Sequence, residues 1–176
     1  PILNSVTLEA ASLKEKLPLV RDFKCQAIGL LMSDSGVPAS VEERVARASR
    51  MIDALSGAGL AGPSIFIDPC VLPVSANTNN AVVVIESLEA IKSKHPGVKT
   101  ICGLSNVSYG LPMRPLLNQV YMLLAMAKGL DAVILNPLDR RMIANVIAAR
   151  TLLGKDEWCA GYIKAHREGR LELEKQ

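Results

Sequence analysis

Five short apolar runs, recurring roughly every 25 to 37 residues with a helical stretch in each gap, constrain this chain more than any other feature of its sequence. The runs are Ile2-Leu3, Ala27-Ile28-Gly29-Leu30-Leu31-Met32, Ile65-Phe66-Ile67, Lys99-Thr100-Ile101-Cys102-Gly103-Leu104 and Asp131-Ala132-Val133-Ile134-Leu135. Between them, apolar residues recur at three- and four-residue spacing, as in Leu13, Leu17 and Val20, which predicts helices over about residues 8–23, 40–57, 80–94 and 114–128. Ser40 followed three residues later by Glu43 has the form of a capping box, and Pro96-Gly97 and Gly129 mark helix ends. Two further helices are expected, over about residues 140–153 and 157–167. Strands alternating with helices at this spacing make βαβ units and a parallel sheet.

Composition agrees. Hydrophobic residues are 49% of the chain but aromatics only 3%, so Leu, Ile, Val, Ala and Met must fill the interior. That mixture suits strands buried on both faces and excludes a base-stacking nucleic-acid platform. The net charge is +3 and the basic residues are dispersed along the helices, with Arg140-Arg141 the longest basic pair, so no nucleic-acid groove is expected. No apolar run approaches the length of about 20 residues that spans a bilayer, and the expected location is cytoplasmic. Cys25, Cys70, Cys102 and Cys159 lack the spacing of a zinc or iron–sulfur site and are expected as reduced thiols, mostly in the core. No metal site is expected.

Chemistry in parallel α/β domains gathers at the carboxyl ends of strands. Four runs end there in a small polar residue: Asn4, Asp68, Asn106 and Asn136. Asn and Asp also start turns and cap helices, so each has a purely structural alternative. Pro69 after Asp68 removes a backbone donor and stops the strand, leaving the carboxylate at a dry rim. Asn106 lies in Gly103-Leu104-Ser105-Asn106-Val107-Ser108-Tyr109-Gly110-Leu111-Pro112, whose two glycines and proline fit a ligand loop better than plain packing. A carboxylate among amides complements the donor–acceptor edge of an amino-pyrimidinone. A phosphate site would need a Gly-rich turn with a basic partner, and none is present. Asp34, in the loop after the second run, is a further pocket candidate, Arg114 an anion or partner contact, and Asp131 a structural residue.

That loop, with Leu3-Asn4-Ser5, Phe66-Ile67-Asp68-Pro69 and Gly129-Leu130-Asp131-Ala132, closely resembles the methyltetrahydrofolate:corrinoid methyltransferases of the pterin-binding family. The resemblance implies a partial (β/α)8 TIM barrel whose five strands correspond to the fourth to the eighth, so that residues 1–176 form one pterin-binding domain without its first three βα units. It also implies a methyl transfer between N5 of tetrahydrofolate or methyltetrahydrofolate, as substrate, and the cobalt of a corrinoid (cobalamin) carried by a partner protein. By the same resemblance Asn4 and Asp68 bind the pterin ring, Asn106 is the catalytic residue at N5, and Ser105, Arg114 and Asn136 complete the substrate site. A homodimer is expected. An Asp that the family uses at the end of its third strand has no counterpart in this sequence. Two alternatives stay open: a folate-binding fragment that needs a partner chain, and an enzyme similar to dihydropteroate synthase.

Overall fold

A computed structural model describes residues 1–171. Its strands β1 (Ile2–Thr7), β2 (Gln26–Leu30), β3 (Ile65–Asp68), β4 (Lys99–Gly103) and β5 (Ala132–Ile134) form one sheet in chain order, every neighbouring pair parallel. The crossovers carry α1 (Ala10–Phe23), α2 (Val41–Gly57), α3 (Asn80–Lys94) and α4 (Arg114–Ala127), and α5 (Arg140–Leu152) and α6 (Ala160–Arg167) follow. Each of the first five helices packs against the next, so they lie side by side over one face of the sheet.

Side chains alternate across a strand, and parallel partners share a face. Val6, Ala27, Leu31, Ile65 and Ile67 therefore meet Val20 of α1, Ala48, Met51 and Leu55 of α2 and Ile91 of α3 in one core. A second core joins Cys102 to Val84 and Leu88 of α3, to Tyr121, Met122, Ala125 and Met126 of α4, and to Met142 and Ala149 of α5. On the opposite face a smaller apolar cluster holds Ile28, Phe66 and Ile101 with Ala132 against them. Lys99 covers the Phe66 ring there, its ammonium 5.0 Å from the ring centre.

Asn4 does not end its strand. The register runs Asn4 opposite Ile28 and then Val6 opposite Gly29, so the chain bulges at Ser5 and pairs on to Thr7. Val6 is fully buried under the helices, and that packing carries the strand past two residues whose local preference is for a turn. At the other boundary, β4 stops at Gly103 and Leu104–Ser108 wind into a 3-10 turn. The expected capping box is half formed. Ser40 Oγ accepts from the Glu43 amide at 3.2 Å, while the Glu43 carboxylate takes the Ala39 amide at 2.8 Å. Asp131 is bound by Lys92 Nζ at 2.9 Å and by the Thr100 amide at 3.0 Å, which pins the amino ends of β4 and β5.

α2 comes so close to β2 that a Cβ on Gly29 would collide with Met51 Cγ. Gly29→Val is therefore expected to destabilise the protein by about 1–3 kcal/mol or more through overpacking. Urea denaturation measures this, and a midpoint equal to wild type would show that the helix can retreat.

Candidate functional site

Asp68 is the last residue of β3 and is 9% exposed. Its Oδ1 accepts the amide of Cys70 at 2.9 Å, an Asx turn that holds Cys70 at a φ of 65°. Its main-chain carbonyl accepts from the Leu31 amide at 3.0 Å, tying the ends of β2 and β3 together. Burial pushes the carboxyl up to about 6, against the opposing pull of the Cys70 and Gly103 amides. The turn does not exhaust the carboxylate: Oδ1 makes the turn, and beyond it the group meets the amide of Gly103 at the rim.

Gly103 is the meeting point of the site. Its amide faces Asp68 from one side, and Asn106 stands over its α-carbon, so that a Cβ there would lie 3.6 Å from Asn106 Nδ2. Asn106 itself is exposed on the 3-10 turn. Arg114 braces that turn from the first residue of α4, donating from Nε to Ser108 Oγ at 3.1 Å and from Nη2 to the Ser105 carbonyl at 2.8 Å. Its guanidinium also lies 5.9 Å from the centre of the Tyr109 ring. The loops after β3 and β4 are stitched to each other by Val74 N to Val107 O at 3.0 Å and Ser75 Oγ to Tyr109 O at 2.6 Å.

Asn4 projects from β1 on the face shared by Ile28 and Phe66, two strands and about 10 Å from β3. It is thus on the same side as Asp68 but not in contact with it. Asn136 follows β5 and spends its Oδ1 on the Leu138 amide at 3.1 Å, the turn-forming role open to any such residue. With Ser105, Asn118 and Asp139 it borders a cavity of about 170 Å³ between the ends of β4 and β5. Asp34 caps α1 from a distance, accepting the Ala10 amide at 3.2 Å. The four cysteines are free thiols; Cys25, Cys70 and Cys102 are buried and Cys159 is exposed. Burial pushes both Cys70 and Cys102 up to about 12, so neither is a nucleophile at neutral pH. No group of His, Cys, Asp or Glu among the described residues is arranged to hold a metal ion, and no helix among them is long and apolar enough to cross a membrane.

Two contributors escaped the sequence reading, which noted the basic residues only as dispersed along the helices. Arg44 and Arg47 of α2 are 2% and 5% exposed. Arg44 Nε donates to the Pro69 carbonyl at 2.8 Å, directly behind Asp68. Arg47 donates to the carbonyls of Leu31 and Gly36 and to Ser35 Oγ, and pairs with Glu43. The available signal was their spacing on α2, in register with the buried Ala48 and Met51.

Among known families, the pterin binding enzyme profile matches residues 1–136. A methylcorrinoid:tetrahydrofolate methyltransferase from Eubacterium limosum is 33% identical over 172 residues, which cover 97% of this chain and 64% of the relative. The methionine synthase of Mycobacterium leprae (strain TN) is 29% identical over 147 residues, 77% of this chain and 12% of that protein. The methionine synthase of Mycobacterium tuberculosis (strain ATCC 25618 / H37Rv) is 28% identical over 146 residues, 76% and 12%. The chain thus spans less than two thirds of the length of these relatives.

The raised Asp68 carboxyl has a sign that stability measurements detect. Its ordinary value is 3.8 and its folded value about 6, so the folded state binds more protons in between, and stability falls as pH rises through that window. Asp68→Asn is expected to raise the unfolding free energy at pH 8 by up to about 3 kcal/mol, with the gain fading as the pH approaches 4. Thermal melts across that range measure it; a variant less stable than wild type at pH 8 would count against a desolvated carboxylate.

Proposed function

The chain belongs to the pterin binding enzyme family, and from that membership we propose that it transfers a methyl group between N5 of tetrahydrofolate and a corrinoid carried by a partner protein. The observation that carries this reading is Asp68, a nine-tenths buried carboxylate at a strand rim whose Oδ1 makes the local turn, with the Asn106 amide nearby over Gly103. The favoured direction is from methylcorrinoid to tetrahydrofolate. The Eubacterium limosum relative that carries that description matches nearly the whole chain, whereas the methionine synthases match about three quarters of it.

In this reading the five parallel strands are the fourth to the eighth of a (β/α)8 barrel, and three further βα units complete it. The cluster of Ile28, Phe66 and Ile101 on the face away from the helices is then the barrel interior. The pterin lies across the carboxyl ends of the strands. Asp68 accepts the paired N–H donors of its amino-pyrimidinone edge, a charge-assisted contact in a dry setting. Asn4, on the same face, bonds the ring from the β1 side. Asn106 reaches N5, where its amide stabilises the proton that leaves or enters, or holds the water that carries it. Ser105 and Asn136 line the neighbouring cavity. Arg114 acts through the turn it braces, fixing Ser105 and therefore Asn106. The corrinoid supplies cobalt as methyl donor or acceptor. The stitched rim loops after β3 and β4, with exposed Tyr109 and Met113, form the surface against which its protein docks.

The expected homodimer has a matching surface. Pro115 to Ala127 of α4 contains no charged residue, yet Leu116, Leu117, Val120, Leu123 and Leu124 are exposed along one stripe at helical spacing. A solvated helix would carry charge there, so a second copy of the same apolar stripe is the natural cover.

Calorimetric titration of methyltetrahydrofolate tests the pocket. Asp68→Asn is expected to weaken binding by about 2–5 kcal/mol, because a charged partner is lost in a buried contact. Asn106→Ala should instead lower kcat while leaving affinity nearly intact. Wild-type affinity should also fall as pH drops through about 6 and Asp68 takes up its proton. Affinity that ignores both Asp68 and pH would remove the carboxylate from the site. For the dimer, Leu116→Glu combined with Leu124→Glu should give a monomer by analytical ultracentrifugation, and an unchanged mass would place the interface elsewhere.

A further inference from the structure

The segment that presents Asp68 is tied to β2 at the Asp68 carbonyl and then leaves the sheet. Pro69 has no amide hydrogen, so the strand end cannot be continued by a backbone donor at that position. Cys70 sits at a φ of 65°, a conformation that a side-chain-bearing residue keeps only when its surroundings enforce it. Two bonds do so: the Cys70 amide to Asp68 Oδ1 at 2.9 Å, and Arg44 Nε to the Pro69 carbonyl at 2.8 Å. The first is made by the carboxylate itself. The Leu31 amide holds the turn's first carbonyl, that of Asp68, at 3.0 Å, but past that point the side-chain donor that reaches the turn is Arg44, from a helix 25 residues earlier in the chain.

Arg44 is no ordinary helix-surface arginine. It is the largest fully buried side chain of the protein's described core, and a second contact from Nη1 to the Ser40 carbonyl at 3.4 Å helps seat it at the start of α2. Placing a guanidinium in such a position costs desolvation that a leucine would avoid, so its retention needs a return other than packing. Its neighbour one turn on, Arg47, is equally buried and provides a built-in comparison. It anchors the loop after β2 through Leu31, Ser35 and Gly36, and does not touch the Asp68 turn.

We propose that Arg44 is a positioning residue for pterin binding: it fixes the Asp68-Pro69-Cys70 turn so that the Asp68 carboxylate points at the ligand. This rests on the pterin reading of Asp68. Arg44 acts wholly through that carboxylate, whereas Arg47 stabilises the same rim without serving it. Losing Arg44 therefore frees the turn to rotate, and the carboxylate loses its aim before the fold loses its integrity.

A double-mutant cycle in the full chain separates these roles, with methyltetrahydrofolate affinity measured by calorimetry and folding by thermal melts. Arg44→Met is expected to weaken binding about tenfold when Asp68 is present and less than about twofold in the Asp68→Asn background. Arg47→Met is expected to lower the melting temperature by a similar amount, with whatever factor it has on affinity the same in both backgrounds. Arg44→Lys, which keeps the charge but lacks the Nε donor, goes through the same cycle and supplies the answer if the methionine variant does not fold. Equal factors for Arg44 with and without Asp68 would overturn the proposal. If Asp68→Asn by itself binds as tightly as wild type, the pterin reading of the carboxylate fails first, an outcome distinct from independent losses at the two positions.

Discussion

Parallel pairing governs this molecule. Each strand must be followed by a crossover long enough to return the chain to the starting edge, so every strand here is followed by a helix, and all the strands point their carboxyl ends at one rim. The rim inherits a difficulty with that direction, because the last carbonyls and amides of each strand run out of strand partners where the loops begin. Much of the chemistry described above is a solution to this shortage. The Leu31 amide bonds the Asp68 carbonyl, Val74 bonds Val107, and two arginines rise from α2 to take the carbonyls of Leu31, Gly36 and Pro69.

A site built this way is both rigid and costly. Asp68 is held by the turn it helps to make, and burial raises its carboxyl toward neutrality. The protein therefore carries an ionised group at neutral pH that it would fold more stably without, a pattern expected where a buried charge serves a ligand rather than the fold. Asn106 is treated oppositely. It stands exposed on a short 3-10 turn whose footing, rather than whose tip, is secured by Arg114. One member of the pair is held and dry and the other is exposed, a division that the proposed pterin reading uses for a ring-binding group and a group at N5.

The two faces of the sheet show the same division of labour. Under the helices, Val6, Ile65, Ile67 and their partners are packed to exclusion of solvent. On the other face Ile28, Phe66 and Ile101 make a much smaller cluster, with Asn4 and Asp68 sharing that side. Polar groups on that side are affordable only near the rim, where a ligand or solvent can satisfy them. Lys99 closes the opposite end by laying its ammonium over Phe66.

The sequence by itself determined the order of strands and helices, the parallel sheet, and the rim positions of Asp68, Asn106 and Asn136, because hydrophobic periodicity and turn chemistry are local and survive without knowledge of partners. The loop around Asn106, taken together with the segments at Asn4, Asp68 and Asp131, was enough to name the family. Tertiary structure decided the rest. Asn4-Ser5 reads locally as a turn, yet pairing with β2 and burial of Val6 carry β1 on to Thr7. Arg44 and Arg47 are locally only two of the basic residues dispersed along the helices, and the approach of α2 to two strand ends buries them against carbonyls that no local pattern announces. Arg114 read as an anion or partner contact, and the structure adds the turn it holds, while Asp68 acquired its raised carboxyl only from the groups packed around it. Periodicity specifies which face a residue takes, whereas desolvation and hydrogen-bond partners depend on segments far away in the chain.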